Sequence, residues 1–374
     1  MDRVQSVMLI TSLPYIITGI FLLAYAYFTY LLCKGWRDIP TSTNPSSSHT
    51  LRPTCAIIVA CHNEEKHLPK LLLSIEQQTY TANEIIFIDD HSSDNTHLIL
   101  QQWAATHPNT QILSAVQRGK KAALRQGVCQ ATSQLILCTD ADCQCPSHWV
   151  EHITTSYAQS PFDLLILPVT TYEDNHFLSH ITRLEFISLV SSGMALAALY
   201  HPIMCNGANL ACKRDTWLAM QDYLHSDLLS GDDVFLLHAI KRHKGVIRVL
   251  AHPDTLVVTH PVITIRDFLR QRIRWGSKTS SYTDTDTLYV ASLIFTISLY
   301  QVILYCFAPF HPSCAICACS LFYSKWIFDT IFLRHTQATF TLSHLWFNTL
   351  TLSILYPFYI VITACLGCFQ RSKW

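Results

Sequence analysis

Carboxylate side chains that follow predicted strands are the residues of this sequence best suited to chemistry. Asp140 and Asp142 come directly after the apolar run 135–138, and polar clusters also follow two earlier apolar runs, at 63–65 and at 89–90. At i and i+2 after a strand, Asp140 and Asp142 point the same way. They could hold Mg²⁺ or Mn²⁺ together with a diphosphate, because hard cations prefer oxygen ligands. A lone D-x-D pattern is also common as a loop cap.

Several other chemistries lack their sequence signatures. The chain has no G-x-G-x-x-G for a dinucleotide and no G-x-x-x-x-G-K-S/T for a P-loop. It also has neither a G-x-S-x-G elbow nor an H-E-x-x-H zinc motif. Strand-end carboxylates therefore indicate a hard cation and a polyol- or phosphate-bearing ligand.

The elements that must position these residues alternate between strand and helix. The apolar runs 55–61, 84–88, 112–116 and 135–138 predict strands, and helical spacing follows at 68–75, after Asp94 and from Lys120. Such alternation predicts a mainly parallel sheet with helices on both faces. Ligands of these sheets bind beyond the carboxyl ends of the strands, where the polar clusters lie.

Composition indicates that part of the chain lies in lipid. Among 374 residues, Lys+Arg and Asp+Glu both total 26, so the formal net charge is zero, which argues against nucleic acid as a partner. Half of the residues are hydrophobic and only 14% are charged, too apolar for a wholly soluble protein. The fifteen cysteines are scattered, so we predict reduced thiols facing the cytosol rather than disulfides or a zinc site.

Long uncharged segments predict four membrane spans. They lie at roughly 7–29, 288–309, 313–333 and 345–367, since about 20 apolar residues cross a bilayer core. Lys34 and Arg37 follow the first span, which predicts a cytoplasmic location for the next segment. Lys325 and Asp329 share one helical face within the third span and should neutralise each other.

These features divide the chain into five predicted regions. They are an N-terminal transmembrane anchor (1–34), a Ser/Thr/Pro-rich linker (35–53), a cytoplasmic α/β domain (54–263), an amphipathic interfacial helix (264–286) and a C-terminal transmembrane region (287–374). The segment 180–198, which is mostly apolar, is predicted to form a second interfacial helix with acceptor contacts.

An ordered series of motifs resembles family 2 glycosyltransferases over about residues 54–280. The series consists of 56–65 (AIIVACHNEE), 87–96 (FIDDHSSDNT), 118–124 (RGKKAAL), 139–142 (TDAD), 206–209 (NGAN), 231–233 (GDD) and 271–275 (QRIRW). The last motif is similar to the Q-x-x-R-W signature of the membrane-bound branch, which includes cellulose and hyaluronan synthases and ceramide glucosyltransferase. The resemblance implies a GT-A-type, Rossmann-like mixed sheet flanked by helices.

The resemblance also implies roles for the polar clusters. Asp90 would contact the base or ribose of a nucleotide sugar, with Asn63 and Glu65 lining that pocket. Lys120 or Lys121 would approach the diphosphate. The pair Asp140 and Asp142 would hold the metal, whose charge would offset that of the departing nucleoside diphosphate. The simpler alternatives are that Asp90 caps a turn and that the lysines form a solvated helix face.

Asp233 would be the general base that removes the proton from the acceptor hydroxyl. Asp232 stands beside it, and adjacent carboxylates raise one another's proton affinity, which suits a base. Glycine and aspartate at 231 and 232 depart from the commoner T-E-D spelling. Helix capping is an alternative role for these aspartates and is compatible with catalysis.

Gln271, Arg274 and Trp275 share one face of a helix by their spacing. Arg274 could pair with diphosphate, and the Trp275 indole could form the floor of the acceptor site. Segment 264–278 is rich in arginine and in apolar residues, which predicts a helix at the bilayer surface.

Together these features predict an inverting, metal-dependent glycosyltransferase in the cell membrane. Its donor would be a nucleotide sugar, a UDP-sugar before a GDP-sugar, and its acceptor a membrane lipid or lipid-linked molecule. A processive polysaccharide synthase is the alternative, although such enzymes generally have more spans. A non-enzymatic scaffold would predict loss of Asp140, Asp142 or Asp233, and all three are present.

Overall fold

A computed structural model describes residues 2–41, 52–174, 176–224 and 231–369. The strands are β1 (Cys55–Cys61), β2 (Glu84–Asp89), β3 (Thr110–Ser114), β4 (Leu135–Thr139), β5 (Leu164–Ile166), β6 (Val169–Thr171), β7 (Asn209–Lys213), β8 (Ile247–Val249) and β9 (Val257–Thr259).

The helices frame these strands and extend the chain at both ends. They are α1 (Asp2–Asp38), α2 (Leu68–Glu76), α3 (Thr96–Ala104), α4 (Lys120–Gln130), α5 (Trp149–Gln159), α6 (Phe177–Ala198), α7 (Arg214–Met220), α8 (Asp232–Arg242), α9 (Ile265–Gly276), α10 (Thr285–Phe307), α11 (Pro312–His335) and α12 (Leu345–Phe369). The helix α1 continues to Asp38, and residues 42–51 of the predicted linker lie outside the described residues.

The main sheet has seven strands in the order β3-β2-β1-β4-β7-β5-β8. Its first four strands run parallel, as the strand–helix alternation predicts, whereas β7 runs antiparallel to both β4 and β5. This confirms the predicted mixed sheet flanked by helices. The strand order reverses between β1 and β4, which creates a crevice for ligands at their carboxyl ends.

Close packing joins the helices to the sheet. A methyl group added at Gly127 of α4 would lie 2.7 Å from side-chain atoms of both Ile58 and Ile88, so only glycine allows this approach. The edge strand β3 begins two residues earlier than predicted. It is only half-buried, so its apolar pattern is a weak guide to its bounds.

Five helices in the described part of the chain are long and apolar enough to cross a membrane. Four of them, in α1, α10, α11 and α12, cover the predicted spans. Within α11, Lys325 and Asp329 form the expected ion pair, and the hydroxyl of Tyr25 in α1 contacts both. Two uncharged tyrosine rings, Tyr25 and Tyr356, also lie against the Lys325 ammonium group, which reduces the cost of burying it.

The fifth helix, α6, corrects the prediction of a second interfacial helix. It packs against α1, α12 and the small β6–β9 sheet, and most of its length is buried. Its apolar residues surround the helix instead of forming one stripe, and a helix that is hydrophobic on all sides is buried. The helix α6 therefore lies between the strands of the α/β domain and the helices α1 and α12.

Candidate active site

The polar clusters of β1, β2 and β4 meet at one edge of the sheet because these strands are parallel and adjacent. Asn63, which follows β1, has a positive φ of 57°, a conformation that asparagine tolerates. Its side-chain oxygen accepts the Ser93 N–H at 2.8 Å, and its own N–H donates to Ser92 Oγ at 3.0 Å. These bonds fix the loops after β1 and β2 against each other.

Asp90 lies at the centre of this edge. Its Oδ2 atom accepts the backbone N–H of Gly119 at 2.8 Å, and its Oδ1 atom lies 3.1 Å from Nδ1 of His91. Gly119 precedes α4, so Asp90 ties the loop after β2 to the start of that helix. The structure thus places Asn63 and Asp90 in the two loops that meet at this edge, and their assignment to a nucleotide pocket stays a prediction.

The two neighbouring glutamates differ in their surroundings. Glu65 Oε2 accepts hydrogen bonds from the backbone and side-chain nitrogens of Asn95 at 3.1 and 2.9 Å. This carboxylate therefore holds the loop after β2 in place. Glu64 instead faces Asp142 and Asp140. Burial, and then the charges of these two aspartates, raise the pKa of Glu64 to about 7. Glu64 is thus a site residue that the sequence analysis did not single out.

Asp140 and Asp142 occupy the turn after β4. The Lys120 ammonium donates a hydrogen bond to Asp140 Oδ1, and the Thr259 hydroxyl donates to Asp142 Oδ2 at 3.1 Å. Glu64 lies within electrostatic range of both aspartates, and among the described residues Lys120 is the lysine that bonds to this cluster. A divalent cation with oxygen ligands fits this surplus of negative charge.

A second carboxylate pair begins α8. Asp233 Oδ2 accepts the Gly207 N–H at 2.9 Å, and Oδ1 accepts the N–H of Val234 at 2.8 Å, so the carboxylate has one orientation. Burial and the charge of Asp233 raise the pKa of Asp232. The motif 206–209, to which the sequence analysis assigned no role, thus positions Asp233.

Lys120 connects the two carboxylate pairs. The Lys120 side chain is 44% exposed; partial desolvation disfavours its ammonium form, but the charges of Asp140, Asp232 and Asp233 outweigh this effect and raise the pKa of Lys120. Lys121 has a different role, since its ammonium donates to the backbone oxygen of Leu224 at 2.8 Å. Of the two lysines that the sequence offered, Lys120 therefore lies between the carboxylates.

Lys278 is a further cation at this site that the sequence analysis missed. A methyl group added at Gly231 would lie 3.0 Å from Lys278 Cδ and 3.3 Å from Nζ. Burial lowers the pKa of Lys278, and the charge of Asp233 opposes that shift. It lies just beyond the end of α9, and no local pattern distinguishes it from the other basic residues of segment 264–278.

The Q-x-x-R-W residues are divided between two environments. Gln271 Oε1 accepts a hydrogen bond from Arg272 at 2.6 Å, and the Arg272 guanidinium lies 4.2 Å from the Trp275 ring centre. Gln271 and Trp275 are therefore grouped with Arg272, whereas Arg274 is exposed and near enough to Lys278 to lower the pKa of that lysine.

Arg272, which lies between the signature residues, is the buried arginine of α9. It is 7% exposed and forms an ion pair with Glu185 of α6, in which Nε and Oε1 are 3.2 Å apart. The hydroxyl of Tyr359 in α12 donates to the same Oε1 at 2.7 Å. This cluster joins α9 to two helices of the membrane region, and the sequence analysis did not find it because its members are far apart in the chain.

Comparisons with known proteins identify the family of part of the chain. Residues 56–214 match the family model for glycosyl transferase family 2. A poly-beta-1,6-N-acetyl-D-glucosamine synthase of Staphylococcus epidermidis is 24% identical over 231 residues, or 62% of this chain and 55% of the synthase. The chain thus spans only about half the length of that relative. A dolichyl-phosphate beta-glucosyltransferase of Trichomonas vaginalis is 36% identical over 96 residues, 23% of this chain and 29% of its own.

A solved structure shares the fold. The mannosyltransferase PcManGT from Pyrobaculum calidifontis, in complex with GDP-Man and Mn²⁺, has a TM-score of 0.56 and 18% identity, over 97% of this chain and 100% of that one. The predicted GT-A-like architecture is therefore confirmed. Residues 56–214 of this membrane protein are a glycosyltransferase domain, and they belong to glycosyl transferase family 2.

Proposed function

We propose that the chain is an inverting, metal-dependent glycosyltransferase that transfers a sugar from a nucleotide-sugar donor to an acceptor presented by the membrane. One observation carries this proposal. Lys120 lies between Asp140 and the Asp232/Asp233 pair, so a cation-binding group and a candidate base face one another across a single ammonium group. Transfer from a diphosphate donor needs these two groups on opposite sides of the reacting carbon.

Asp233 is proposed as the general base. Its carboxylate takes the proton of the acceptor hydroxyl while that oxygen attacks the anomeric carbon. The bond from this carbon to the diphosphate oxygen breaks as the new bond forms, which inverts the configuration. The Gly207 and Val234 N–H groups orient Asp233 for this role, and Asp232 is the alternative base.

Lys120 is proposed to neutralise charge that builds up on the leaving diphosphate, with Lys278 as a second cation nearby. Asp140 and Asp142 would hold Mg²⁺ or Mn²⁺, with Glu64 beside them, and the ion would supply further positive charge to the diphosphate. Asn63, Glu65 and Asp90 would form the nucleoside pocket. We expect a UDP-sugar first, and GDP-sugars are included because the structural neighbour was solved with GDP-Man.

The acceptor is proposed to be a lipid or a lipid-linked molecule. The amphipathic helix α9 packs on α12 and follows Asp233 in the chain, and its exposed arginines Arg266 and Arg270 suit an anionic lipid surface. Arg274 and Trp275 would contribute to the donor and acceptor sites from this helix. Lys34 and Arg37 after the first span support a cytoplasmic catalytic domain at the cell membrane.

The second candidate function is processive polysaccharide synthesis. It is favoured by the similarity to a poly-beta-1,6-N-acetyl-D-glucosamine synthase. The two functions differ in their products, since a lipid transferase makes a lipid with one sugar and a synthase makes a ladder of increasing length.

The test uses full-length protein purified in detergent, with Mg²⁺ or Mn²⁺, a panel of UDP- and GDP-sugars, and a membrane lipid extract. We expect one lipid-mobile product, and Asp233→Asn should reduce its rate by about 100-fold or more while donor binding persists. Asp215→Asn is the matched control, because Asp215 also lies in the first turn of a helix but is exposed on α7. A polymer ladder would support the synthase, and folded protein that binds no nucleotide sugar would refute both.

A further inference from the structure

A group of two histidines and one aspartate lies outside the carboxylate site. His152 belongs to α5, and His252 and Asp254 flank the start of the single 3₁₀ turn Pro253–Thr255 between β8 and β9. One potential ligand atom from each of the three residues lies within 4.8 Å of the other two. The three residues are hereafter the His₂Asp group, and none of them has a role in the proposed transfer reaction.

The separations within the group approach those of a tetrahedral metal site. His152 Nε2 lies 3.7 Å from Asp254 Oδ2, and His252 Nδ1 lies 3.9 Å from the same oxygen. Ligands bonded at about 2.0–2.1 Å to a tetrahedral Zn²⁺ are about 3.3 Å apart. The Asp254 side chain is 50% exposed, so its carboxylate has room to move. A shift of about half an ångström would bring Oδ2 to the separation from the two imidazole nitrogens that a tetrahedral site requires.

The histidines present suitable nitrogen atoms. His252 Nδ1 accepts the backbone N–H of Asp254 at 3.1 Å, so this nitrogen carries no proton, and a metal bound there would replace that hydrogen bond. The two imidazole rings are 4.1 Å apart between centres, so they pack directly against each other. His152 is 8% exposed, so its ring is held inside the protein with Nε2 on the side of Asp254.

The backbone that holds the group is rigid. Asn209, which is fully buried, accepts the Trp149 indole N–H at 2.8 Å and donates to the Thr255 backbone oxygen at 2.8 Å. Trp149 is one turn before His152 on α5, and Thr255 follows Asp254. One asparagine therefore joins the two backbone segments that supply the ligands.

We propose that His152, His252 and Asp254 bind a divalent transition metal, with Zn²⁺ as the first choice. Two imidazoles and one carboxylate suit zinc, cobalt or nickel better than Mg²⁺ or Ca²⁺, which prefer oxygen ligands. Water would fill the fourth position beside the half-exposed Asp254. This site is chemically distinct from the carboxylates Asp140 and Asp142.

The role of the metal would be structural. The segment that includes His252 begins at Ala251. The Ala251 N–H donates a hydrogen bond to the backbone oxygen of Pro40, which follows α1, and the Ala251 oxygen accepts one from the hydroxyl of Thr339, which follows α11. A metal here would brace α5 against the point where the catalytic domain contacts the ends of two membrane helices. The same segment continues to Thr259, which holds Asp142.

The test measures Zn²⁺ binding to full-length protein purified in detergent without a histidine tag, stripped with a chelator and kept in excess Mg²⁺. Isothermal titration and elemental analysis should show one bound Zn²⁺, and Co²⁺ should give the intense visible absorption of a four-coordinate site. His252→Gln should weaken Zn²⁺ binding by more than about 100-fold, since even loss of a residue that only supports a ligand costs about 10- to 100-fold.

The matched control is His148→Gln, which removes another histidine from the start of α5 that lies outside the group. It should bind Zn²⁺ as tightly as the unaltered protein. His152→Gln should weaken Zn²⁺ binding in the same way as His252→Gln. If the buried His152→Gln variant does not fold, Asp254→Asn tests the same site at a half-exposed position. Equal Zn²⁺ affinity in the unaltered protein and in folded His252→Gln would overturn the proposal, and so would the absence of Zn²⁺ binding.

Discussion

Lys120 and Asp140 form an ion pair that spans the candidate active site from the start of α4 to the turn after β4. The same ammonium group also faces the carboxylates of Asp232 and Asp233. Without a donor, Lys120 thus compensates the negative charge of both pairs. In the proposed reaction, the diphosphate of the donor would compete with Asp140 for this cation.

Replacing Lys120 with glutamine should therefore weaken donor binding and slow transfer. A charged hydrogen bond contributes about 1.5–3 kcal/mol, so we expect kcat/KM for the donor to fall by about 10- to 100-fold. Steady-state kinetics and donor titration measure the effect. Lys244→Gln is the control, because Lys244 is exposed after α8. Unchanged donor affinity and kcat/KM in Lys120→Gln would exclude contact with the diphosphate.

Two glycines beside Asp233 should respond differently to alanine. Gly231 has φ +94°, and its added methyl group would lie 3.0 Å from Lys278 Cδ, so Gly231→Ala strains the backbone and displaces the lysine. Strain of this kind costs about 1–3 kcal/mol. A methyl group at Gly207 would meet Asp233 at 3.6 Å, an ordinary contact. We expect Gly231→Ala to lose most transfer activity and Gly207→Ala to retain it; the opposite order would contradict the assigned geometry.

The Arg272–Glu185 ion pair should stabilise the junction between α9 and the membrane helices. Removing one partner of a buried pair costs about 3–5 kcal/mol, because the other charge is left uncompensated. Arg272→Met should therefore lower the unfolding temperature in detergent and impair transfer. The double variant Arg272→Met/Glu185→Met should recover stability relative to either single variant.

Arg270→Met is the control for this prediction, since Arg270 lies on the exposed side of α9 with its side chain 63% exposed. It should leave the unfolding temperature nearly unchanged. Similar unfolding temperatures for Arg270→Met and Arg272→Met would show that the buried pair contributes no net stability.

Glu84 should make stability depend on acidic pH. Burial raises its pKa, but hydrogen bonds from Ser133 and Thr132 outweigh burial and lower the pKa below the ordinary value of 4.5. A lowered folded-state pKa gives stability that is present above pH 4.5 and is lost as the pH falls through the folded-state value. Glu84→Gln should therefore be less stable than the unaltered protein by about 1–3 kcal/mol near pH 7.

The difference in unfolding free energy between Glu84→Gln and the unaltered protein should shrink as the pH falls below about 4.5. Thermal unfolding in detergent across this pH range measures it. Glu76→Gln, at the exposed end of α2, is the control and should show no such pH-dependent difference. A destabilisation of Glu84→Gln that stays constant into acid would show that the charge of Glu84 is not the stabilising feature.

The sequence by itself determined the elements whose patterns are local. Buried parallel strands have continuous apolar runs, so β1 was predicted with its observed bounds, and the uncharged segments predicted four helices long enough to span a bilayer. Polar residues directly after such strands must meet at one edge. For this reason Asp90 and Asp140 could be placed near each other without coordinates.

Tertiary structure decided the features that depend on contacts between distant segments. Glu64 and Glu65 are adjacent and chemically identical, and only the packing of the loop after β2 directs one to Asn95 and the other to Asp142. Lys278 reaches Gly231 only because the chain returns after α9.

The same holds for the buried charges and for α6. The residues around Arg272 in the sequence do not distinguish it from the exposed Arg270. Arg272 is buried because it pairs with Glu185, which is 87 residues away in the chain. The apolar pattern of α6 fits a buried helix or a membrane helix equally well, because both are hydrophobic on all sides. Local sequence sets which residues leave water, whereas the partners they meet are set by the fold as a whole.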